Sequence, residues 1–295
     1  MTNVRIFGYC NPLSARMGEP VDFMISAEGA DEAQIDLVRL VHGDFNPDGP
    51  GFIEEIIESD LPSTLPVCRQ YTQNGSFARV ADDSGQLSPK SAFTVHAFIR
   101  PSAPGGERQT IMGSWSVNSS KGYALGINPD GKLEFWVGDG KSVDQITSDA
   151  VLVPKVWVMV AASLDLVTGE ACLRQISVQN SWNSHIGPVT PYDHNSHVVE
   201  ILRVKPEASG ADFILAGAHE SNQERGDFVS TLYNGKIDRC GIVERALTSG
   251  DMEQIAAGTA PLRPLAYWDT TAGFKDTGTV IQSKILGLMA CTLRG

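Results

Sequence analysis

This 295-residue chain has no run of about 18 apolar residues, so no transmembrane helix is expected. Its first residues, Met1-Thr2-Asn3-Val4-Arg5-Ile6-Phe7-Gly8-Tyr9, lack a charged stretch followed by an apolar one, and no signal peptide is read there. The five cysteines, Cys10, Cys68, Cys172, Cys240 and Cys291, are odd in number, widely spread and without any CxxC pair. That pattern argues against a disulfide framework and suits free thiols in a cytoplasmic protein, several of them buried in strands. Clustered Lys and Arg are also missing. With 23 basic against 35 acidic side chains the net charge is −12, which excludes a nucleic-acid surface. Acidity of this size serves solubility and would favour cationic ligands or Ca2+. There is no GxSxG elbow, no HExxH helix and no EF-hand spacing.

What is present reads as β-structure nearly throughout. Val21 to Ser26 and Gln34 to Val41 alternate apolar and polar residues, the period of a half-buried strand. A stretch dense in Gly and Pro, His42 to Gly51, then marks a long ordered loop or a module boundary. From about Gly75 the strands become regular, at Gly75–Val80, Phe93–Arg100 and Thr110–Trp115. Tyr123–Ile127 and Leu133–Val137 flank Asn128-Pro129-Asp130-Gly131, a hairpin in which Gly131 can supply the positive φ that closes the turn. One short helix is expected from about Thr248 to Ala257, with Thr248 or Ser249 as cap and Gly258 as terminator. Leu265–Asp269 reads as a late strand. The hydrophobic content of 42% is enough for a real core, and the length suits one large sandwich with an appended module.

Two stretches carry a resemblance. Trp157-Val158-Met159-Val160-Ala161-Ala162-Ser163-Leu164-Asp165 with Thr168-Gly169-Glu170, and Tyr233-Asn234-Gly235-Lys236-Ile237-Asp238 running into Ile242 to Thr248, resemble the laminin-G-like, concanavalin A-type jelly roll. The expected fold is therefore an all-β jelly-roll β-sandwich over 75–295, preceded by a β-rich module over 1–74. The alternating apolar positions of Gly8 to Val41 lead to the expectation that this segment packs rather than floats. A second likeness covers the ends. Gly8-Tyr9-Cys10-Asn11-Pro12-Leu13-Ser14, Gly18-Glu19-Pro20-Val21, Val38 to Asp44 and Leu265 to Asp269 are similar to the N-terminal and lectin-like parts of the N,N-dimethylformamidase large subunit. In that family a mononuclear iron held by tyrosine and glutamate hydrolyses the amide in a further domain. The resemblance thus implies that the iron domain lies beyond residue 295 and that this chain holds no cofactor. It implies a neighbouring catalytic domain or subunit as partner, with homo-oligomerisation left open.

The residues offer little independent chemistry. His194 and His197, with His185 nearby, are the one candidate for metal ligation, but Pro188 and Pro191 favour polar loop histidines ahead of the strand Val198–Leu202. Cys240 reads as a small buried thiol. Glu54-Glu55 fall on opposite faces of an extended strand, and Glu134 has no ExDxxE-type company, so neither makes an acid/base couple. A sugar site would need an exposed aromatic platform beside amides or carboxylates. Trp115, Trp136, Trp182 and Tyr192 are available for one, near Asn118, Asp139, Asn180 and Asn183, while Trp157 and Trp268 fall in apolar strands and read as core. Trp182 with Asn180, Asn183 and Tyr192 is the best such group, because its neighbours are polar. Asp44, Asp48 and Asp139 are the carboxylates available to Ca2+. The sequence thus points to a non-catalytic structural and interaction region, with a stand-alone carbohydrate-binding module as the alternative and no nucleic-acid or membrane partner.

Overall fold

The computed structural model describes residues 4–46, 48–71, 75–80, 82, 85–88, 90–178, 194–223, 225–259, 263–270, 280–282 and 290–294. The chain divides into two compact units, Met1–Thr72 and Gln73–Gly295.

The first unit is built from strand pairs. It contains β1 (Arg5–Asn11), β2 (Asp22–Glu28), β3 (Glu32–Gln34), β4 (Val38–Gly43), β5 (Phe52–Ile56) and β6 (Thr64–Pro66). These form three separate two-stranded sheets, β1–β2, β3–β6 and β4–β5. The alternating stretch Gln34 to Val41 is not one strand. It passes from β3 to β4 and changes partner on the way: Ile35 N donates to the Ser63 carbonyl, and Ile57 N to the Leu37 carbonyl. Alternation in sequence records burial of one side chain in two and says nothing of which neighbour supplies the ladder.

The second unit begins with β7 (Phe77–Val80), β8 (Ala92–Pro101), β9 (Gln109–Ser116), β10 (Lys121–Ile127), β11 (Lys132–Asp139) and β12 (Val143–Val151). It continues through β13 (Val158–Asp165), β14 (Glu170–Ser177), β15 (Ser196–Ile201), β16 (Phe213–Leu215), β17 (Ala218–Asn222) and β18 (Gly226–Ser230). After these come β19 (Gly235–Val243), the helix α1 (Ser249–Ala256), β20 (Ala266–Trp268), β21 (Val280–Gln282) and β22 (Ala290–Arg294). Two sheets result. The larger runs β12-β11-β10-β9-β16-β7-β22-β21 with the β17–β18 pair attached to β9, and the smaller runs β15-β14-β13-β8-β19-β20.

The main core lies between these sheets. Phe93, Val95, Val160 and Leu173 of the smaller sheet meet Tyr123, Leu125, Phe135 and Phe213 of the larger. Trp268 is fully buried there and stacks on Phe213 at 5.4 Å, as its apolar strand predicted. Trp157 differs: it is only partly buried and packs on a second cluster outside the sandwich interior. That cluster joins Phe98, Met159 and Ala161 to Met252 and Ile255 of α1. The helix is capped as its sequence requires, with the Thr248 side chain accepting from Asp251 N and Asp251 accepting from Thr248 N. In the β10–β11 turn Gly131 takes φ +79°, a value that a residue with a Cβ rarely adopts.

Candidate functional site

The outer face of the larger sheet carries the densest group of functional side chains. In β11, Leu133, Phe135 and Val137 point into the core, so Glu134 and Trp136 alternate onto the opposite face. The ladders place Trp136 beside Ala124 and Glu134 beside Gly126 and Thr147. Trp115 of β9 is registered with Gly122, and Gly122 with Gly138. This strip of small residues gives the indoles a floor. A Cβ at Gly126 would fall 2.6 Å from Trp136 Cη2, and one at Gly138 would fall 2.9 Å from Trp115 Cη2. The two rings meet edge to face at 6.2 Å and 87°.

Over this floor sits a charge pair. Arg108 Nη2 lies 2.7 Å from Glu134 Oε2, a contact of charges more than an aligned hydrogen bond. The same guanidinium lies 4.8 Å from the Trp136 ring centroid, within cation–π range. The Thr147 hydroxyl donates to Glu134 Oε1 at 3.5 Å. Burial pushes the Glu134 carboxyl above the usual range, and Arg108 and Thr147 oppose that shift. The Glu134 side chain is 2% exposed against 38% for Arg108, so the arginine closes the carboxylate off from water.

The face is therefore shut. Trp136 is 1% exposed and Trp115 is buried, so neither is the open platform that their place in the sequence suggested. What covers them comes from other strands and from Arg108, which their own neighbours in sequence do not reveal. Two polar groups considered for sugar hydroxyls are also committed elsewhere. Asn118 exchanges hydrogen bonds of 2.8 and 2.7 Å with the backbone of Ser221. Asp139 Oδ1 accepts from Lys141 N and Ser142 N, which holds its carboxyl below the usual range. Trp182, Asn180, Asn183, Tyr192 and His185 lie outside the described residues.

The histidine pair does not form a loop site. His197 stands inside β15, exposed and opposite Arg174 of β14, because the ladder begins at Ser196, two residues before Val198. His194 Nδ1 is 3.1 Å from the Val151 carbonyl. Among the described residues no three His, Cys, Asp or Glu side chains come together as a metal site. Cys240 is fully buried in β19. Asp44 Oδ1 accepts from Asn46 N at 2.9 Å, within its own loop.

Sequence reasoning missed another histidine. His96 of β8 is fully buried between Ala161 and Gly241 on the side that carries α1. Neither ring nitrogen has a hydrogen-bond partner among the described residues, and burial lowers its pKa from 6.5 to about 4. The Tyr267 ring lies 6.4 Å away between ring centroids. Its signal was available in part, as a histidine at the centre of the apolar run Phe93–Arg100. Its partner glycine is remote in sequence.

Comparison with known proteins fits this geometry. Residues 72–175 match the family model described as the concanavalin A-like lectin/glucanases superfamily. The chain is 38% identical over 283 residues to the N,N-dimethylformamidase beta subunit of Paracoccus aminophilus and 37% identical to that of Alcaligenes sp. Each match covers 94% of this chain and 37% of the relative, so the chain spans well under half the length of these proteins. A crystal structure from Bacteroides ovatus, described as a candidate carbohydrate binding protein, superposes with a TM-score of 0.50 at 15% identity. It covers 83% of this chain and 65% of the other. The second unit is accordingly a concanavalin A-like β-sandwich, and the mostly-β expectation holds.

Proposed function

We propose that this chain is a non-catalytic structural and interaction region of a dimethylformamidase-type amide hydrolase and holds no cofactor of its own. The observation that carries the reading is the surface of the first unit. Phe7, Tyr9, Phe23 and Met24 of the β1–β2 ribbon stand exposed around a hollow of about 700 Å3. Soluble proteins rarely leave large apolar side chains grouped in water, and such patches mark contacts with other protein surfaces. The curated relatives are named as beta subunits, which is the name of one component of an assembly.

The sandwich supports the same reading from the other side. Its buried carboxylate, Glu134, faces a guanidinium instead of a second carboxylate, so it lacks the partner that glycoside cleavage would need. The two buried tyrosines are not disposed to hold the iron that the dimethylformamidase likeness implies. The buried hydroxyls of Tyr123 and Tyr233 donate to the carbonyls of Leu87 and Lys236, and burial raises both phenols further from ionisation. Glu134 already has a cation against it. Metal analysis of the purified chain together with a dimethylformamide hydrolysis assay tests the proposal. Neither iron nor turnover is expected, and iron near one equivalent with measurable turnover would overturn it.

A further inference from the structure

We propose that the β4–β5 hairpin is an arm that inserts an aromatic tip into a lysine- and arginine-rimmed apolar pocket on a different protein subunit. This rests on the reading of the chain as an interaction region and names the chemistry of the partner. Among the described residues the hairpin pairs with no other strand, and all five β5 residues are exposed. Isolated two-stranded hairpins are marginal in water, so apolar residues displayed on one call for a covering surface. Phe45 is 79% exposed and Ile56 77% exposed, and Leu40, Val41, Phe52 and Ile53 are exposed as well.

The tip is ordered before any partner arrives. The Phe45 and Phe52 rings stack at 4.8 Å and 8°. His42 Nδ1 lies 2.8 Å from the Gly51 carbonyl, which ties the two ends of the loop. Asp44 and Asn46 side chains accept from Asn46 N and Asp48 N, and Gly49 N donates to the Asn46 carbonyl. A preformed aromatic pair loses little freedom on docking, which is the property of a binding anchor.

Charge selects the occupant. Residues 36–60 hold seven carboxylates (Asp36, Asp44, Asp48, Glu54, Glu55, Glu58 and Asp60) against the single Arg39, a net of −6 and half of the −12 of the whole chain. Arg39 is itself paired with Glu55 at 3.8 Å. A second copy of so acidic a chain would bring like charges together, and a nucleic acid would be repelled. A basic rim around an apolar pocket satisfies both features of the arm.

The test uses the full chain and defined probes. Binding is measured to an amphipathic lysine–leucine peptide, to a lysine–serine peptide of equal charge and to a glutamate–leucine peptide. The lysine–leucine peptide should bind, weaken as salt rises and lose about tenfold in affinity with Phe45→Ser. Phe52→Ser, which removes the other ring of the tip, should act the same way, while Val167→Ser, an exposed apolar change in the other unit, should bind as the parent does. Equal binding of the lysine–serine or the glutamate–leucine peptide, or no effect of Phe45→Ser and Phe52→Ser, would overturn the proposal. So would sedimentation showing a dimer of the chain that Phe45→Ser dissolves. Peptide binding decides the arm and the iron and hydrolysis measurements decide the functional reading, so the two fail separately.

Discussion

Acid should weaken this protein through His96 well before it weakens it through carboxylates. A histidine that is neutral when folded and has a pKa of about 4 takes up its proton more readily when unfolded, where the value is near 6.5. The unfolded state therefore binds more protons between those values, and stability is complete above pH 6.5 and falls as pH drops toward 4. The full shift corresponds to about 3 kcal/mol, of which about 2 kcal/mol is already lost at pH 5. Among the described residues nothing in the ladder offers relief: the neighbours of His96 are Ala161 and Gly241, and Arg174 next along the row would repel the charge. Glu134 works in the opposite sense, since its raised pKa favours the folded state as pH falls. Asp139 and Asp251, both lowered, act at more acid pH. The contribution of His96 is isolated by comparison with His96→Leu. Urea unfolding followed by tryptophan fluorescence at pH 7 and pH 5 should show the parent midpoint falling by about 0.7 M more than that of the variant. The slope with pH is what matters, because it cancels any change the leucine itself makes to the packing. Equal losses in parent and variant would refute the argument.

Arg108→Ala should cost about 2 kcal/mol of stability by leaving the Glu134 charge buried without its counter-ion, and adding Glu134→Gln should recover most of it in a double-mutant cycle of thermal melts. Restoration by lysine at position 108 should be partial, since lysine lacks the planar group that covers Trp136. On a glycan array the chain is expected to give no signal, because the outer-face tryptophans are covered. A reproducible hit lost in Trp182→Ala would instead establish the lectin reading.

Local features were readable from sequence because their causes are local. Pro129 and Gly131 specify a tight turn, and Thr248 with Asp251 specifies a helix start, within a few residues of the structure each produces. The face of Trp115 and Trp136 was not readable. Alternation places an indole on the outer side of a strand, but whether water reaches it depends on glycines one strand away and on Arg108. The same holds for His96, whose environment is set by Gly241 of β19 and by α1 packed on that side of the sheet. His197 was misplaced by the same limit, since only the pairing with Arg174 shows that β15 has already begun.

The strand order of the larger sheet has a consequence for a chain synthesised from its N-terminus. β7 is the first sandwich strand to emerge, yet both of its neighbours, β16 and β22, come much later. β9 likewise meets β16 on one side only after the chain has passed residue 213. The meander β9 to β12 can assemble early from neighbours in sequence, but the sheet stays split until Phe213–Leu215 slots between β9 and β7. Three residues, Phe213 and Leu215 facing the core and Ile214 packing on the opposite face with Phe77 and Val229, thus act as the keystone that converts two partial sheets into one. Closure is a late, long-range event that leaves open strand edges exposed until it happens, which is where a nascent protein of this design is most vulnerable to pairing with the wrong neighbour.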